Sequence, residues 1–251
     1  MGTGLQVVIE PGTGKDGAPE PTGPVVLQAG EVVAVVGATG SGKTRLLADL
    51  ERLAGGDSPT RRRIRLVRGG EERPDPHTVV ARISQSMGFF LDATVQELLR
   101  MHCAYRGRGT DAAELVDEVV GWANRICGEG FERATLLAQL SGGQARALMV
   151  ADAVLVSRCP ILLIDEIENA GIDRALALEL LLREQTLAVL ATHDPLIALQ
   201  AERRIVTARG AMTAVRSRTA AELELRRTLA AQQRERERLQ QRLRSGEPLA
   251  E

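Results

Sequence analysis

The sequence predicts an α/β fold with a parallel sheet, an antiparallel β edge and an inserted helical subdomain. Short β-branched apolar runs alternate with helical patterns near both ends of the chain, which is typical of parallel βαβ units. The middle of the chain, from 94 to 140, has helical spacing alone. Turns rich in Gly and Pro separate these segments, so the helical middle reads as an insertion.

The elements that precede the insertion predict the β edge. An opening strand is expected at Leu5–Ile9, and residues 11–24, rich in Gly and Pro, form a loop. Glu31–Val36 reads as the next strand, and Thr44–Leu53 has helix-forming composition. Arg61–Arg68 alternates arginine with apolar residues, which predicts a strand with one solvated face.

The elements after the insertion predict the parallel sheet. Ile161–Ile164 and Leu187–Ala191 read as strands, and the helical pattern of Arg174–Arg183 separates them. The final segment, Thr219–Arg244, is rich in Ala, Leu, Glu, Gln and Arg and predicts a helix. It is either a partner-binding or dimer-supporting element or a solvated C-terminal helix.

Composition excludes several functional classes. The 251 residues carry a formal net charge of −1, which gives no global attraction to nucleic acid or anionic lipid. The basic run Arg61–Arg68 would bind phosphates or form a solvated strand face. Three widely spaced cysteines without a C-x-x-C pair indicate core thiols in a reducing compartment. No apolar run reaches the roughly 20 residues of a membrane span, so a cytoplasmic protein, or one peripheral to the cytoplasmic face of a membrane, is expected.

A phosphate-binding loop follows the strand that ends at Val36. The run fits G-x-x-x-x-G-K-[ST] and comprises Gly37, Ala38, Thr39, Gly40, Ser41, Gly42, Lys43 and Thr44. Glycines allow backbone N–H groups to face phosphates, and the following helix N-terminus favours negative charge. Lys43 would contact the β- and γ-phosphates, and the Thr44 hydroxyl would bind Mg²⁺.

Lysine usage disfavours a chance match. Of 32 basic residues only Lys15 and Lys43 are lysine, and one of them falls in the loop. A glycine-rich turn with an accidental lysine is the alternative, and the strand–loop–helix context argues against it.

A second glycine-rich helix start occurs later in the chain. It comprises Leu140, Ser141, Gly142, Gly143 and Gln144 and precedes the helix-compatible run Ala145–Val156. Alone it would serve a structural role as readily as it would bind an anion. Together with the phosphate loop it resembles the signature motif of the ATP-binding cassette (ABC) family, and the resemblance spans about residues 25–210. It implies a P-loop NTPase core of the RecA-like type, with ATP and Mg²⁺ as cofactors.

Three further positions resemble family motifs. Asp165 and Glu166 end the apolar strand Ile161–Ile164 like a Walker B motif: Asp165 would hold Mg²⁺ through its water shell and Glu166 would polarise the attacking water. Gln85, after strand-like Val79–Ile83, matches the Q-loop glutamine, which contacts Mg²⁺ or the water and links the two lobes. For the two acids, a strand that ends in acids by chance is the alternative, and the order of the motifs favours the functional interpretation. For Gln85, a solvated side chain is the alternative.

His193 and Asp173 complete the resemblance. His193 follows Leu187–Ala191 and looks like the switch histidine near the γ-phosphate, although a histidine at a strand end is often structural. Asp173 resembles the D-loop aspartate that crosses the dimer interface, and it would equally serve as the N-cap of the helix Arg174–Arg183.

The sequence departs from the family in three places. Residues 1–36 contain no Phe, Tyr, Trp or His to stack on adenine. The usual D-E-P-T-S-A-L-D segment is replaced by D-E-I-E-N-A-G-I-D, which has no proline and one extra residue. Glu132-Arg133-Ala134-Thr135 stands where exporters often have an acidic turn, which weakens an exporter assignment.

The resemblance implies a nucleotide-binding domain at 1–215, a helical subdomain at about 86–139 and a helical tail at 216–251. Because each motif occurs once, ATP would lie between the P-loop of one subunit and Ser141–Gln144 of another, in a homodimer or a pair of related ABC subunits. The expected role is the energy-coupling subunit of a membrane transporter, with separate transmembrane subunits docked at Ser86–Leu99. The alternative is a soluble ABC-type ATPase that remodels a protein or nucleic-acid partner. Nucleic acid is the less expected partner, because the long coiled-coil insertion and zinc motif of DNA-repair relatives are missing.

Overall fold

The fold contains two sheets, seen in a computed structural model that describes residues 4–67, 76–84, 87–108, 112–165 and 171–247. The described strands are β1 Gln6–Glu10, β2 Val25–Gln28, β3 Val32–Val36, β4 Arg63–Val67, β5 Val80–Ile83, β6 Ile161–Asp165, β7 Leu187–Ala191, β8 Arg203–Ala208 and β9 Ala211–Ser217. The described α-helices are α1 Lys43–Glu51, α2 Pro76–Val79, α3 Val95–Tyr105, α4 Ala112–Cys127, α5 Gly142–Ala151, α6 Arg174–Arg183, α7 Pro195–Gln200 and α8 Ala220–Arg244.

The smaller sheet is the predicted antiparallel edge. Its strand order is β2-β1-β4, with Val7 opposite both Leu27 and Leu66. On β4, Ile64 is buried and the arginines on either side of it are exposed, as the alternation predicted. Strand β2 was not distinguished from its surroundings in the sequence, because its four residues follow a loop and precede β3 closely.

The larger sheet has the order β5-β6-β7-β3-β8-β9, and all of its pairs are parallel except β8 with β9. The central strands are buried on both faces, which explains their continuous apolar sequences. The β8–β9 hairpin escaped the sequence reading. It turns at Arg209 and Gly210, whose φ values are 49° and 82°, as a tight hairpin turn requires.

Two hydrophobic cores lie on opposite faces of the larger sheet. On one face Val33 and Val35 of β3 pack with Leu46 of α1. On the other face Ala34 packs in a cluster that contains Leu148 of α5 and Trp122 of α4. The alternation along β3 follows from the two-residue period of a strand.

The helical part of the chain is built from α3, α4 and α5. Helix α3 begins at a capping box in which Thr94 and Glu97 each satisfy the other's backbone N–H. Helix α4 packs against α3 and, more extensively, against α5, which lies beyond the predicted limit of 139. A π-helical turn, Asp152–Val156, follows α5 and ends it.

Helix α8 forms the tail and begins at Ala220, three residues after β9 ends. Its first turn is anchored by the ion pair of Arg204 with Glu222, and the Arg218 guanidinium donates hydrogen bonds to the carbonyls of Leu199 and Gln200. Its later leucines, such as Leu225 and Leu243, are exposed.

Candidate nucleotide-binding site

Three of the predicted motifs lie at one edge of the larger sheet. The phosphate loop follows β3, Asp165 ends β6 and His193 comes two residues after β7. Because β3, β6 and β7 are parallel, their carboxyl ends share that edge. In open α/β sheets this is where ligands bind.

The loop 37–44 leads into α1 as an anion cradle. Gly42 is the residue before the helix, with a φ of 112°, and a Cβ atom there would lie 2.8 Å from the Cα of Gly210. Only glycine suits that position. No side chain of the described residues caps the helix start, and Ala38, Thr39, Gly40 and Thr44 are exposed. A helix start without a side-chain cap and bordered by exposed residues suits a phosphate site, because its first N–H groups lack partners within the helix.

Both lysines of the chain contact this loop. The Lys43 ammonium donates to the carbonyls of Gly37 at 2.8 Å and Ala38 at 3.2 Å. The Lys15 ammonium, from the loop after β1, donates to the carbonyl of Gly40 at 2.9 Å. The sequence reading assigned no role to Lys15, although its rarity as a lysine was the available signal.

The loop is held from behind by the β8–β9 hairpin. The Ser41 hydroxyl is buried and lies 2.8 Å from the Thr207 hydroxyl, which ties the loop to β8. The Gly210 N–H donates to the Ser41 carbonyl at 2.7 Å. A cavity of about 690 Å³ opens beside the loop, and the residues that line it are Lys15, Asp16, Ala38, Thr39, Gly40, Ser41, Thr207, Ala208 and Arg209. None of these described residues is aromatic, which agrees with the missing adenine-stacking residue.

A buried ion cluster supports these segments. Arg62 is fully buried and pairs with Glu20 and with Asp49 of α1, both buried as well. Its guanidinium also donates to the carbonyl of Gly210 at 2.8 Å, and Glu20 accepts the N–H of Met212. Arg62 therefore joins the loop after β1, helix α1 and the hairpin, which together surround the phosphate loop. The sequence reading treated Arg62 only as part of a basic run.

Asp165 is engaged by an arginine that the sequence reading also missed. The Arg82 guanidinium on β5 lies 3.1 Å from an Asp165 carboxylate oxygen and 2.8 Å from a Glu51 carboxylate oxygen. Burial lowers the pKa of Arg82, but the hydrogen bonds and charges of Glu51 and Asp165 raise it above its ordinary value overall. The other two predicted residues of this region, Gln85 and Glu166, lie outside the described residues.

The second glycine-rich motif opens α5. The Ser141 hydroxyl accepts the Gln144 N–H at 3.3 Å, and the Gln144 side chain accepts the Ser141 N–H at 2.9 Å. The Gln144 amide also donates to the Glu129 carbonyl at 3.1 Å. Ser141 and Gly142 are exposed, and Gly143 is half-buried. The motif thus presents a fixed helix N-terminus at the surface.

Asp173 and His193 begin or precede neighbouring helices. Asp173 accepts hydrogen bonds from the backbone N–H groups of Ala175 and Leu176 and is therefore the N-cap of α6, one of the two roles that the sequence predicted. His193 is exposed, and the next residue, Asp194, caps α7 and pairs with Arg174 at 2.7 Å. The loop that carries His193 is therefore tied to the start of α6.

The sequence profile of the family described as ABC transporter matches residues 25–169, more than half of the chain. The chain belongs to the ABC transporter family. It is 45% identical over 229 residues to an uncharacterized ABC transporter ATP-binding protein of Methanocaldococcus jannaschii, an alignment that covers 89% of this chain and 87% of that protein. This finding confirms the ABC-type assignment that the motifs predicted.

Other relatives of this ABC subunit agree. It is 34% identical over 155 residues to the petrobactin import ATP-binding protein FpuC of Bacillus anthracis, covering 57% of this chain and 52% of that protein. CbiO1 of Clostridium perfringens, part of an ABC transporter complex, shares the fold with a TM-score of 0.64 and 20% identity, over 90% of this chain and 93% of that one. The predicted α/β P-loop NTPase fold and the role of energy-coupling ATP-binding subunit are therefore confirmed. In the part of the ABC subunit that the structure describes, no helix has the length and apolarity to cross a bilayer.

Proposed function

We propose that this ABC subunit binds Mg-ATP in the cradle 37–44 and hydrolyses it in a dimer, to drive a separate transmembrane partner. The convergence of the cradle, Asp165 and His193 at one sheet edge supports the proposal most strongly. Lys43 would exchange its loop carbonyls for the β- and γ-phosphates, and Glu166 would polarise the attacking water. Gln85 and His193 would contact the water and the γ-phosphate.

The donor set suits Mg²⁺. Among the described residues, the Thr44 hydroxyl and the Asp165 carboxylate are the oxygen donors that the motifs provide, and Gln85 would add an amide oxygen. Magnesium usually takes one or two protein ligands and completes its shell with phosphate oxygens and water. When bound, it would neutralise charge that develops on the phosphates. Thr44 and Asp165 would orient it against the nucleotide.

The dimer supplies the other half of each site. Each chain carries one cradle and one Ser141–Gln144 motif, and the motif presents exposed Ser141 and Gly142 at a fixed helix start. An exposed helix N-terminus favours an anion. We infer that this motif, together with Asp173, closes over the nucleotide of a second subunit, either a second copy of this chain or a related ABC subunit.

An apolar surface lies where the transmembrane partner is expected. Phe90 is 99% exposed, and Met87, Leu91 and Met101 are exposed nearby in sequence. Exposed apolar groups of this kind mark contact sites. All but Met101 fall within the predicted docking segment 86–99, of which residue 86 lies outside the described residues. This surface favours a membrane partner over the remodelling of a nucleic acid, and it supports the proposal that the subunit works at the cytoplasmic face of a membrane.

Two experiments test these proposals. Wild-type protein should release phosphate from ATP only when Mg²⁺ is present. The Glu166→Gln variant should release no phosphate under either condition, and equal phosphate release by both proteins would refute the catalytic assignment. If the neighbouring gene encodes a multi-spanning membrane protein, co-expression should yield a complex that Phe90→Asp disrupts and Leu225→Asp, on exposed α8, does not. If both variants still form the complex, the assignment of this surface as the docking site is refuted.

A further inference from the structure

Arg82 makes two ion pairs at the edge of the site. Its guanidinium is shared between Asp165, at the end of β6, and Glu51, in the last turn of α1. The Arg82 side chain is 19% exposed and that of Asp165 is 12% exposed. Their interaction is therefore less screened by solvent than a surface pair would be.

The fold fixes this arrangement. Strands β5 and β6 are parallel, with Arg82 opposite Leu163, so Arg82 and Asp165 project from the same face of the sheet. Helix α1 packs on that face and brings Glu51 to the other side of the guanidinium. The Arg82 Nε–H is buried and has no hydrogen-bond partner among the described residues. The two terminal nitrogens of the Arg82 side chain thus bind two carboxylates, while its Nε–H donates to none of the described residues.

We propose that Arg82 is a positioning residue that occupies the Asp165 carboxylate when no cation is present and yields it when Mg²⁺ arrives with the nucleotide. The proposal rests on the proposed role of Asp165 in holding Mg²⁺. The Asp165 carboxylate cannot fully serve both a guanidinium and the water shell of a divalent cation, since the two positive charges repel. Glu51 allows Arg82 to remain paired after it leaves Asp165. The Arg82–Asp165 contact therefore competes with the metal. Asp165 and Arg82 each keep an oppositely charged partner whether the cation is bound or absent.

This competition predicts opposite changes in cation binding when Arg82 loses its charge and when Glu51 loses its charge. Removing the charge of Arg82 leaves Asp165 fully available, so the divalent cation should bind more tightly. Removing the charge of Glu51 leaves Asp165 as the single charged partner of Arg82 among the described residues, so the cation should bind more weakly. If Arg82 served only to pack α1 against the sheet, the two substitutions would not shift cation binding in opposite directions.

The test measures cation binding rather than turnover. Mn²⁺ is titrated into protein held in excess over a non-hydrolysable ATP analogue, and free Mn²⁺ is read from its paramagnetic resonance signal. Arg82→Met should tighten Mn²⁺ binding about three- to tenfold, and Glu51→Gln should weaken it by at least about twofold. Arg52→Met is the matched control, because Arg52 is 56% exposed, adjoins Glu51 and pairs at 3.9 Å with Asp49. It should change Mn²⁺ binding by less than about twofold.

The outcomes separate this proposal from the proposed function. If Arg82→Met binds Mn²⁺ as wild type does, or more weakly, or if Arg52→Met gives the same tightening, the competitive role of Arg82 is refuted. Should Arg82→Met fail to fold, Glu51→Gln decides alone, and unchanged or tighter binding would overturn the proposal. If wild-type protein does not bind the nucleotide analogue at all, the proposed function itself fails.

Discussion

Replacing Arg62 with Met should be among the most damaging single substitutions in this protein. Arg62 is fully buried and its guanidinium pairs with Glu20 and Asp49. Methionine keeps much of the apolar stem but removes the charge and every donor. The variant would leave the buried Glu20 carboxylate without its arginine, Asp49 with the 3.9 Å pair to exposed Arg52, and the Gly210 carbonyl without that donor.

The magnitude follows from burial. Removing one partner of a buried ion pair costs about 3–5 kcal/mol, because the remaining charge stays desolvated and uncompensated. Arg65→Met provides a matched control three residues further along the chain, on β4. Arg65 pairs with Glu10 at 2.8 Å but its side chain is 61% exposed. An exposed pair of this kind contributes about 0–1 kcal/mol.

Urea unfolding followed by the fluorescence of buried Trp122, the one tryptophan of the chain, measures both variants. The Arg62→Met midpoint should fall by several times the shift of Arg65→Met, with an unchanged slope. Adding Glu20→Gln and Asp49→Asn to Arg62→Met should restore part of the loss, since no buried charge then lacks a partner. A loss below about 1 kcal/mol for Arg62→Met would refute the view that this cluster holds the site together.

Three further predictions concern the cradle, the base and pH. Lys43→Ala should abolish nucleotide binding because the triphosphate loses its cation, and near-normal ATP affinity in a binding titration would contradict this. ATP and GTP should bind within about tenfold of each other, or roughly 1.4 kcal/mol, because none of the described residues that line the cavity is aromatic; a hundredfold preference would show that another side chain reads the base. The hydrogen bond to Asp152 at 2.9 Å raises the pKa of His102 above its ordinary value of about 6.5, despite partial burial. The His102–Asp152 pair therefore stabilises the fold fully below about pH 6.5, and this stabilisation declines as the pH rises through the raised pKa. The difference in unfolding free energy between wild type and His102→Gln should shrink from pH 5.5 to pH 9, and a constant difference would contradict the assignment.

Much of the fold was readable because local pattern and tertiary role coincide. The strands around Val32–Val36 and Ile161–Asp165 are apolar throughout because they are buried on both faces of a parallel sheet. Helix α3 carries its start signal in Thr94 and Glu97. The cradle was readable because its chemistry needs glycines and a lysine at fixed spacing.

The residues that the sequence reading missed are those whose role depends on distant partners. Arg62 looks like one arginine in a basic run, and only the fold brings Glu20, 42 positions away, against it. Arg82 is similarly separated from Asp165 by 83 positions. The carbonyl of Arg209, in the β8–β9 turn, accepts the backbone N–H of Lys15 and so holds Lys15 beside the cradle. That turn has no strong sequence signal.

The central claim is that two chains close around two nucleotides, and Glu166→Gln tests it most directly. The substitution should preserve ATP binding and block hydrolysis, because the carboxylate acts mainly on the attacking water. Bound ATP then stabilises the closed dimer without being consumed. Size-exclusion chromatography with light scattering should show this variant as a dimer in Mg-ATP and mostly as a monomer in Mg-ADP. A monomer in both nucleotides would contradict the composite-site account for two copies of this chain.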